Sequence, residues 1–347
     1  MKKAILVFLV SCTVSVLSAQ NERQEPFLTK SLPGESIKQV EVETSGGNIS
    51  VESSAADKSR VDVFIWPSSG RNKGEVSKET LQKRLDELYD LKITVSGDKL
   101  TAIAKSKVKI RDWKNALSIS FKVYVGKDVS THLTTSGGNI DLRAITGEQE
   151  ITTSGGNLNI DGVKGKMKGT TSGGNIDVKD SDNKMDLTTS GGNINANHCS
   201  GGIKLTTSGG SIRVVDLNGN VDATTSGGDV RGNNIQGDLE AHTSGGNIDL
   251  AGLACNLATG TSGGDIKVVI REPGKFIKIR NSGGKIELEL PAGKGYDLDL
   301  SADKIQTGKL SAFNGKVEDD QVDGTLNGGG TKVTANASGG KIVLTVK

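Results

Sequence analysis

From residue 136 to residue 284 the chain repeats one pattern of apolar and polar positions. Ser-Gly-Gly begins at Ser136, Ser154, Ser172, Ser190, Ser208, Ser226, Ser244 and Ser262, a spacing of 18 without slippage. A fixed period of this kind means stacked copies of one unit rather than a string of independent domains. Four residues after each Ser stands an aliphatic side chain: Ile140, Leu158, Ile176, Ile194, Ile212, Val230, Ile248 and Ile266. Two residues further on come Leu142, Ile160, Val178, Ala196, Val214, Gly232, Leu250 and Val268, and the position between is polar in every copy, from Asp141 to Lys267. That period of two is the signature of a strand with one buried face. A second strand precedes each Ser, as in Met185-Asp186-Leu187-Thr188-Thr189, with Thr189 and its equivalents in the inward set. Two or three short strands per coil, stacked about 4.8 Å apart, predict an all-β, single-chain β-solenoid (β-helix) whose regular coils make a rod of about 38 Å.

The polar positions extend this reading. Gly-Gly between the strands predicts a turn with positive φ, and Gly147, Gly165, Gly201, Gly219 and Gly237 mark another turn in each coil. Stacking sets Thr135, Thr153, Thr171, Thr189, Thr207, Thr225, Thr243 and Thr261 in one column, and Asn139, Asn157, Asn175, Asn193, Ser211, Asp229, Asn247 and Asp265 in another. Such columns are expected to hydrogen-bond along the stack as in cross-β assemblies.

Outside the repeat the pattern loosens. Ser45-Gly46-Gly47 is a lone copy 91 residues ahead of Ser136. Strand-like runs follow at Val61 to Trp66, Leu91 to Val95, Leu100 to Ala104 and Leu117 to Val125, with a hairpin turn at Gly97-Asp98. Between them 77–89 predicts one helix, N-capped by Ser77, with Leu81, Leu85 and Leu88 on one face; it is suited to cover an end or side of the solenoid. After Ser262 the next motif arrives 20 residues later, at Ser282, because Glu272-Pro273-Gly274 widens a turn, and a last copy stands at Ser338-Gly339-Gly340. The stretches "TTSGGNIDV", "LELPAGKGYDLDL" and "NGGGTKVTANASGGKIVL" resemble the bacterial putative-adhesin family, a domain of unknown function similar to toast-rack β-solenoids. The resemblance runs from about Val40 onward. It implies a periplasmic or surface protein and no site residues.

The first residues read as an export signal: Lys2-Lys3, an apolar run from Ala4 to Val10, and a small-residue cleavage site at Ser18-Ala19. The expected division is therefore a signal peptide 1–19, an irregular N-terminal β region 20–130 with the helix that starts or caps the solenoid, the regular solenoid 131–284, and irregular C-terminal coils and cap 285–347. Leu9-Val10-Ser11-Cys12 allows a variant in which Cys12 is lipidated. Ser11, Cys12, Thr13 and Ser15 interrupt any membrane span there, and no later segment could be one. Without Lys2 and Lys3 the 43 basic residues fall to 41, against 41 acidic, so neither nucleic acid nor an anionic membrane is indicated as a partner. With 47 glycines and 3% aromatic residues, a thin repetitive architecture fits better than two aromatic-rich cores. Cys199 and Cys255 are 56 residues apart, three periods plus two; about 14 Å of stack separates them, so two free, buried thiols are expected.

Candidate chemistry is sparse. A calcium β-roll needs Gly-Gly-x-Gly-x-Asp, whereas Gly173-Gly174-Asn175-Ile176-Asp177 lacks the third glycine, and the column of Asp177 also holds Arg213, Arg231 and Lys267. His132, His198 and His242 occupy different places in the repeat, none with a second ligand at useful spacing beyond the His198-Cys199 pair, where His198 is expected to face solvent in a turn and Cys199 to pack inward. Asp177, Asp186, Asp222, Asp238 and Asp249 are the acids on which a polysaccharide-acting enzyme would draw, yet acids are expected on any solenoid surface. Ring stacking on sugars is weakened because no aromatic residue lies between Tyr124 and Phe276. Paired hydroxyl rows, Thr134 with Ser136 through Thr224 with Ser226, resemble ice-binding arrays but are interrupted by His242 and Gly260. These readings assign no catalytic, cofactor-binding or metal residue and no cofactor. They point to a secreted, non-catalytic structural or adhesin-like module of the cell envelope, in the periplasm or at the cell surface, whose partner is an unidentified surface or envelope protein or glycan. A periplasmic envelope-stress sensor or accessory protein is the alternative, ahead of a polysaccharide-acting enzyme.

Overall fold

The computed structural model describes residues 25–347 apart from Pro33, Glu35, 69–75 and 109–114. The predicted signal peptide and Cys12 lie outside the described residues. The rest is nearly all β and forms a solenoid, with one short α-helix. In the first wall of the regular stack, Ser130–Thr135, Gln149–Thr153, Met167–Thr171, Asp182–Thr189 and Ser200–Thr207 pair in parallel, each residue beside the one 18 further on. Ile140–Arg143, Leu158–Asp161, Ile176–Lys179 and Ile194–Asn197 build the second wall in the same register. Both walls turn their alternate aliphatics inward: Ile140, Leu158, Ile176, Ile194 and Ile212 are fully buried.

A third side closes each coil. Its inward column is Ile145, Val163, Ser181, Cys199, Leu217, Ile235 and Leu253, all buried. From Ile212 onward the strands run through this side, giving the long strands Ile212–Thr225, Val230–His242 and Ile248–Thr261. The chain enters the third side through a left-handed residue, with φ between 51° and 54° at Ala144, Asp180, His198, Asp216 and Asn234. Asp and Asn tolerate that conformation better than other side chains, and Gly162 and Gly252 fill the same place.

The role predicted for Gly-Gly needs correction. None of these paired glycines in the repeat has a positive φ, so left-handed backbone is not what selects them. The second glycine is required by approach between coils: a Cβ on Gly174 would lie 1.9 Å from the Gly156 carbonyl oxygen, and the same clash recurs at Gly156, Gly192 and Gly210. The first glycine is not so constrained, since a Cβ on Gly173 would meet its nearest neighbour at an ordinary 3.7 Å.

At the N-terminal end the chain order and the stacking order part company. β1 (Leu28–Ser31), β2 (Gln39–Thr44), β3 (Ile49–Ser53) and β4 (Arg60–Pro67) lead into helix α1 (Lys78–Leu88), then β5 (Tyr89–Ser96), β6 (Lys99–Ser106) and β7 (Leu117–Val125). The lone motif sits directly on the first regular coil, Thr44 beside Thr135 and Ile49 beside Ile140. On its other face β6 and β7 form a further coil, parallel to β2 and β3. Beyond that the direction reverses: β5 runs antiparallel to β6, β4 to β7 and β1 to β4. Helix α1 joins β4 to β5 across the end of the core, N-capped by Ser77 Oγ, which accepts from Thr80 N–H at 3.3 Å. Its Leu81 and Leu85 join the core. Tyr89 ties the two walls together there, its hydroxyl accepting from Leu117 N–H at 2.9 Å.

The C-terminal end uses the same arrangement. The last strand, Thr331–Val346, pairs in parallel with Phe276–Asn281 and Ile286–Leu290 on one side and with Tyr296–Thr307 on the other. The last motif copy, with Ile342 beside Ile286, is thus held between the stack and an earlier segment of chain. An antiparallel meander of Gln321–Leu326 and Phe313–Val317 closes the end.

Candidate interaction surfaces

The Thr-Ser-Gly-Gly unit is a hydrogen-bonded device made with backbone partners. Thr171 Oγ1 donates to the carbonyl of Gly156 in the coil before at 2.8 Å and accepts from Gly174 N–H in its own coil at 3.2 Å. Thr153, Thr189 and Thr207 repeat both bonds. The asparagine column likewise passes each side-chain oxygen to the next coil's backbone: Asn157 Oδ1 accepts from Asn175 N–H, and Asn175 Oδ1 from Asn193 N–H, both at 2.8 Å. The predicted side-chain ladders are therefore side chain to main chain. At the ends Thr44 Oγ1 donates to Ile119 O at 2.7 Å, and Asn281 replaces the threonine, donating to Gly264 O at 2.8 Å.

Outward residues of the first wall form a column in which opposite charges neighbour one another as far as Asp222, after which the acid Glu240 follows directly. His132 stands beside Glu150, then Lys168, Asp186, Lys204, Asp222 and Glu240. Its N-terminal part borders a shallow groove of about 600 Å³ lined by Glu41, Lys99, His132, Glu148, Glu150 and Lys166 among others. Lys99 Nζ lies 2.7 Å from Glu41, and its hydrogen bond holds the Glu41 carboxyl below the usual range against the opposing effect of partial burial. That direction is the reverse of what a general acid needs. His132 Nδ1 approaches Glu150 at 3.2 Å and Lys166 approaches Glu148 at 3.8 Å, so these charges are occupied with one another.

The other candidates do not converge. Asp177 and Asp249 face outward on the second wall in one column, with Asn195, Arg213 and Arg231 between them. Asp186 and Asp222 share a first-wall column, about 10 Å apart with Lys204 between them. Asp238 belongs to a third column, where its Oδ1 accepts from Asn256 at 2.6 Å. His198 is the exposed left-handed turn residue, 3.2 Å from Asp216, and His242 pairs with Glu240. Among the described residues no group of three or more His, Cys, Asp or Glu is arranged to hold a metal ion. Cys199 and Cys255 are free and buried. They occupy different columns, Cys199 on the third side and Cys255 beside Gly237. Burial raises both thiols, Cys255 to about 12, so neither is a thiolate nucleophile at neutral pH.

Residues 179–345 match the model of the Toastrack family, DUF4097. The likeness to a putative-adhesin family of unknown function, carried in the sequence by its Ser-Gly-Gly strands, is supported by that match. Three solved structures are similar over most of their length. A putative cell adhesion protein from Clostridium sporogenes is 11% identical, covering 92% of this chain and 98% of its own, with a TM-score of 0.20. A putative adhesin from Bacteroides fragilis is 14% identical, covering 92% and 96%, with a TM-score of 0.24. A putative lipid binding protein from Parabacteroides distasonis is also 14% identical, covering 94% and 98%, with a TM-score of 0.24. No curated protein matches.

Proposed function

We propose that this chain, whose residues 179–345 match the Toastrack family, is an exported, non-catalytic interaction module of adhesin type. The observation that carries the reading is the state of the outward groups. Along the first wall from His132 to Asp222, ionisable side chains stand beside partners of opposite charge, and the acids a glycan-cleaving enzyme would draw on are spread over three separate columns. A surface of that kind offers contact area and stiffness rather than acid–base chemistry. Export rests on the leader-like residues 1–19, with the periplasm or the cell surface as destination.

Protease treatment of intact cells tests the adhesin reading. Cleavage of the chain before the outer membrane is opened is the expected result. Complete protection until that membrane is breached would instead favour an accessory or stress-sensing protein of the periplasm. Release of reducing ends from a glycan panel by the purified protein would overturn the non-catalytic assignment.

A further inference from the structure

We infer that the C-terminal end of the solenoid is a self-association surface, at which the edge strand Phe313–Val317 pairs antiparallel with the same strand of a second copy of this chain. Among the described residues this strand pairs on one side only, with Gln321–Leu326. The main-chain groups on its open side follow from the hairpin. Glu318 N–H donates to Gln321 O and Asn327 N–H to Ala312 O, so residues 312 and 318 occupy hydrogen-bonded positions of the ladder. Antiparallel pairing alternates such positions with ones whose N–H and C=O point away from the partner strand. Phe313, Gly315 and Val317 therefore turn both groups to the open edge. The same three residues share the core-side face, since Phe313 stands opposite Leu326 and Val317 opposite Val322, both buried. The core ends here, and Val317 is left 53% exposed. Asn314 and Lys316 take the outer face.

The pattern of the strand selects its partner. Phe313-Asn314-Gly315-Lys316-Val317 reads apolar, polar, glycine, polar, apolar from either direction, so it is complementary to itself about a two-fold axis at Gly315. In that register Phe313 of each copy faces Val317 of the other, Gly315 faces Gly315, and Lys316 faces Asn314. About six main-chain hydrogen bonds form between the copies. A shift by two residues in one direction sets Lys316 against Lys316, and in the other it carries Val317 beyond the facing strand. Lysine commonly guards an edge strand against such pairing, but here the Glu318 carboxylate lies 2.7 Å from the Lys316 ammonium and neutralises it.

The N-terminal end offers no equivalent edge. There β1 is four residues long, and on β5 the Lys30 ammonium donates to Ile93 O at 2.8 Å. The product is thus a tail-to-tail dimer with the N-terminal ends at its two far tips.

Sedimentation velocity of the purified full chain over a concentration series tests this. A monomer–dimer equilibrium is expected. Val317→Pro deletes an edge N–H that the pairing with Gln321–Leu326 does not use, and should weaken the dimer roughly tenfold or more with unchanged circular dichroism. Asn314→Lys sets lysine against Lys316 twice in each dimer and should weaken it about fivefold, whereas Asn314→Glu should tighten it by a similar factor. A monomer at every concentration overturns the proposal, and so does equal dimerisation by Asn314→Lys and Asn314→Glu. Either result leaves the reading of the walls as an interaction surface standing.

Discussion

The regular coils and the two ends solve the same problem differently. Between residues 131 and 281 each coil lies on the one before it, so chain order and stacking order coincide. At both ends they do not: the first motif copy is held between β6–β7 and the first regular coil, and the last between the stack and Tyr296–Thr307. A parallel repeat has no internal reason to stop, and its last coil would expose a row of unpaired backbone groups. Antiparallel strands beyond the held motifs break the translation, and the holding places the last strand, Thr331–Val346, where it cannot peel away singly. The middle is a stack of near-identical steps; the ends are locks.

The sharpest way to break this contrast is to delete Thr331–Val346. Val333, Ile342 and Leu344 are buried in that strand, each contributing about 1.5–3 kcal/mol. Amide exchange should accelerate through Phe276–Asn281 and Tyr296–Thr307, with protection kept from 149 to 207, because nearest-neighbour stacks lose stability locally. Uniform loss of protection would mean that ends and middle form one cooperative unit.

Next in size are the two glycines of one motif. Gly174→Ala sets a methyl against backbone of the previous coil and should cost about 3 kcal/mol or more, seen as a depressed denaturation midpoint. Gly173→Ala should stay within about 0.5 kcal/mol of the parent. Equal effects would show that backbone conformation, not approach between coils, selects both. Gly47 and Gly340, in the two held motifs, meet the same kind of contact at 1.8 and 2.0 Å, so the rule extends to the locks.

A smaller difference is expected at the threonines. Thr189 Oγ1 serves Gly174 O and Gly192 N–H, so Thr189→Val leaves two buried backbone groups without a partner and should cost about 1–3 kcal/mol. Thr44 has one such bond, to Ile119 O, and Thr44→Val should cost less. Thermal melts of the two variants compare them directly.

The coil was legible in the sequence because the inward positions and Thr-Ser-Gly-Gly recur at 18 from Ser136 to Ser262, and helix α1 because Ser77, Leu81 and Leu85 carry the cap and the face. The third side was legible too, in the column from Ile145 to Leu253 and in the Asp, Asn and Gly column beside it; it is easily passed over because one inward residue per coil shows no alternation. The stacking order at the ends was not legible. A motif 91 residues from its neighbour in sequence looks solitary, and only the pairing of Ile49 with Ile140 reveals that the intervening chain leaves the stack and returns. A groove lined by Ser45, Trp66, Ser118 and Ser136 depends on that return: its residues come from β4, β7, the lone motif and the first regular coil, so no stretch of sequence contains it.

The least effect, and one confined to alkali, separates the last regular coil from the C-terminal lock. Burial raises Cys255 from 9.0 to about 12 and Tyr296 from 10.0 to about 12. A raised pKa means that the folded state keeps its proton more tightly than the unfolded chain. The stability each group contributes is therefore complete below its unfolded pKa and is lost as pH climbs toward about 12. Cys255 should begin to lose its share above pH 9.0 and Tyr296 above pH 10.0. Ionised Tyr296 also loses the proton it donates to Pro291 O at 2.9 Å, which loosens the strand that encloses the final motif. Melting followed from neutral pH into alkali should show Cys255→Ala flattening the first part of the decline and Tyr296→Phe the second. If both variants track the parent curve, the alkaline decline originates in the exposed lysine–carboxylate pairs of the walls, and neither the last coil nor the lock is its source.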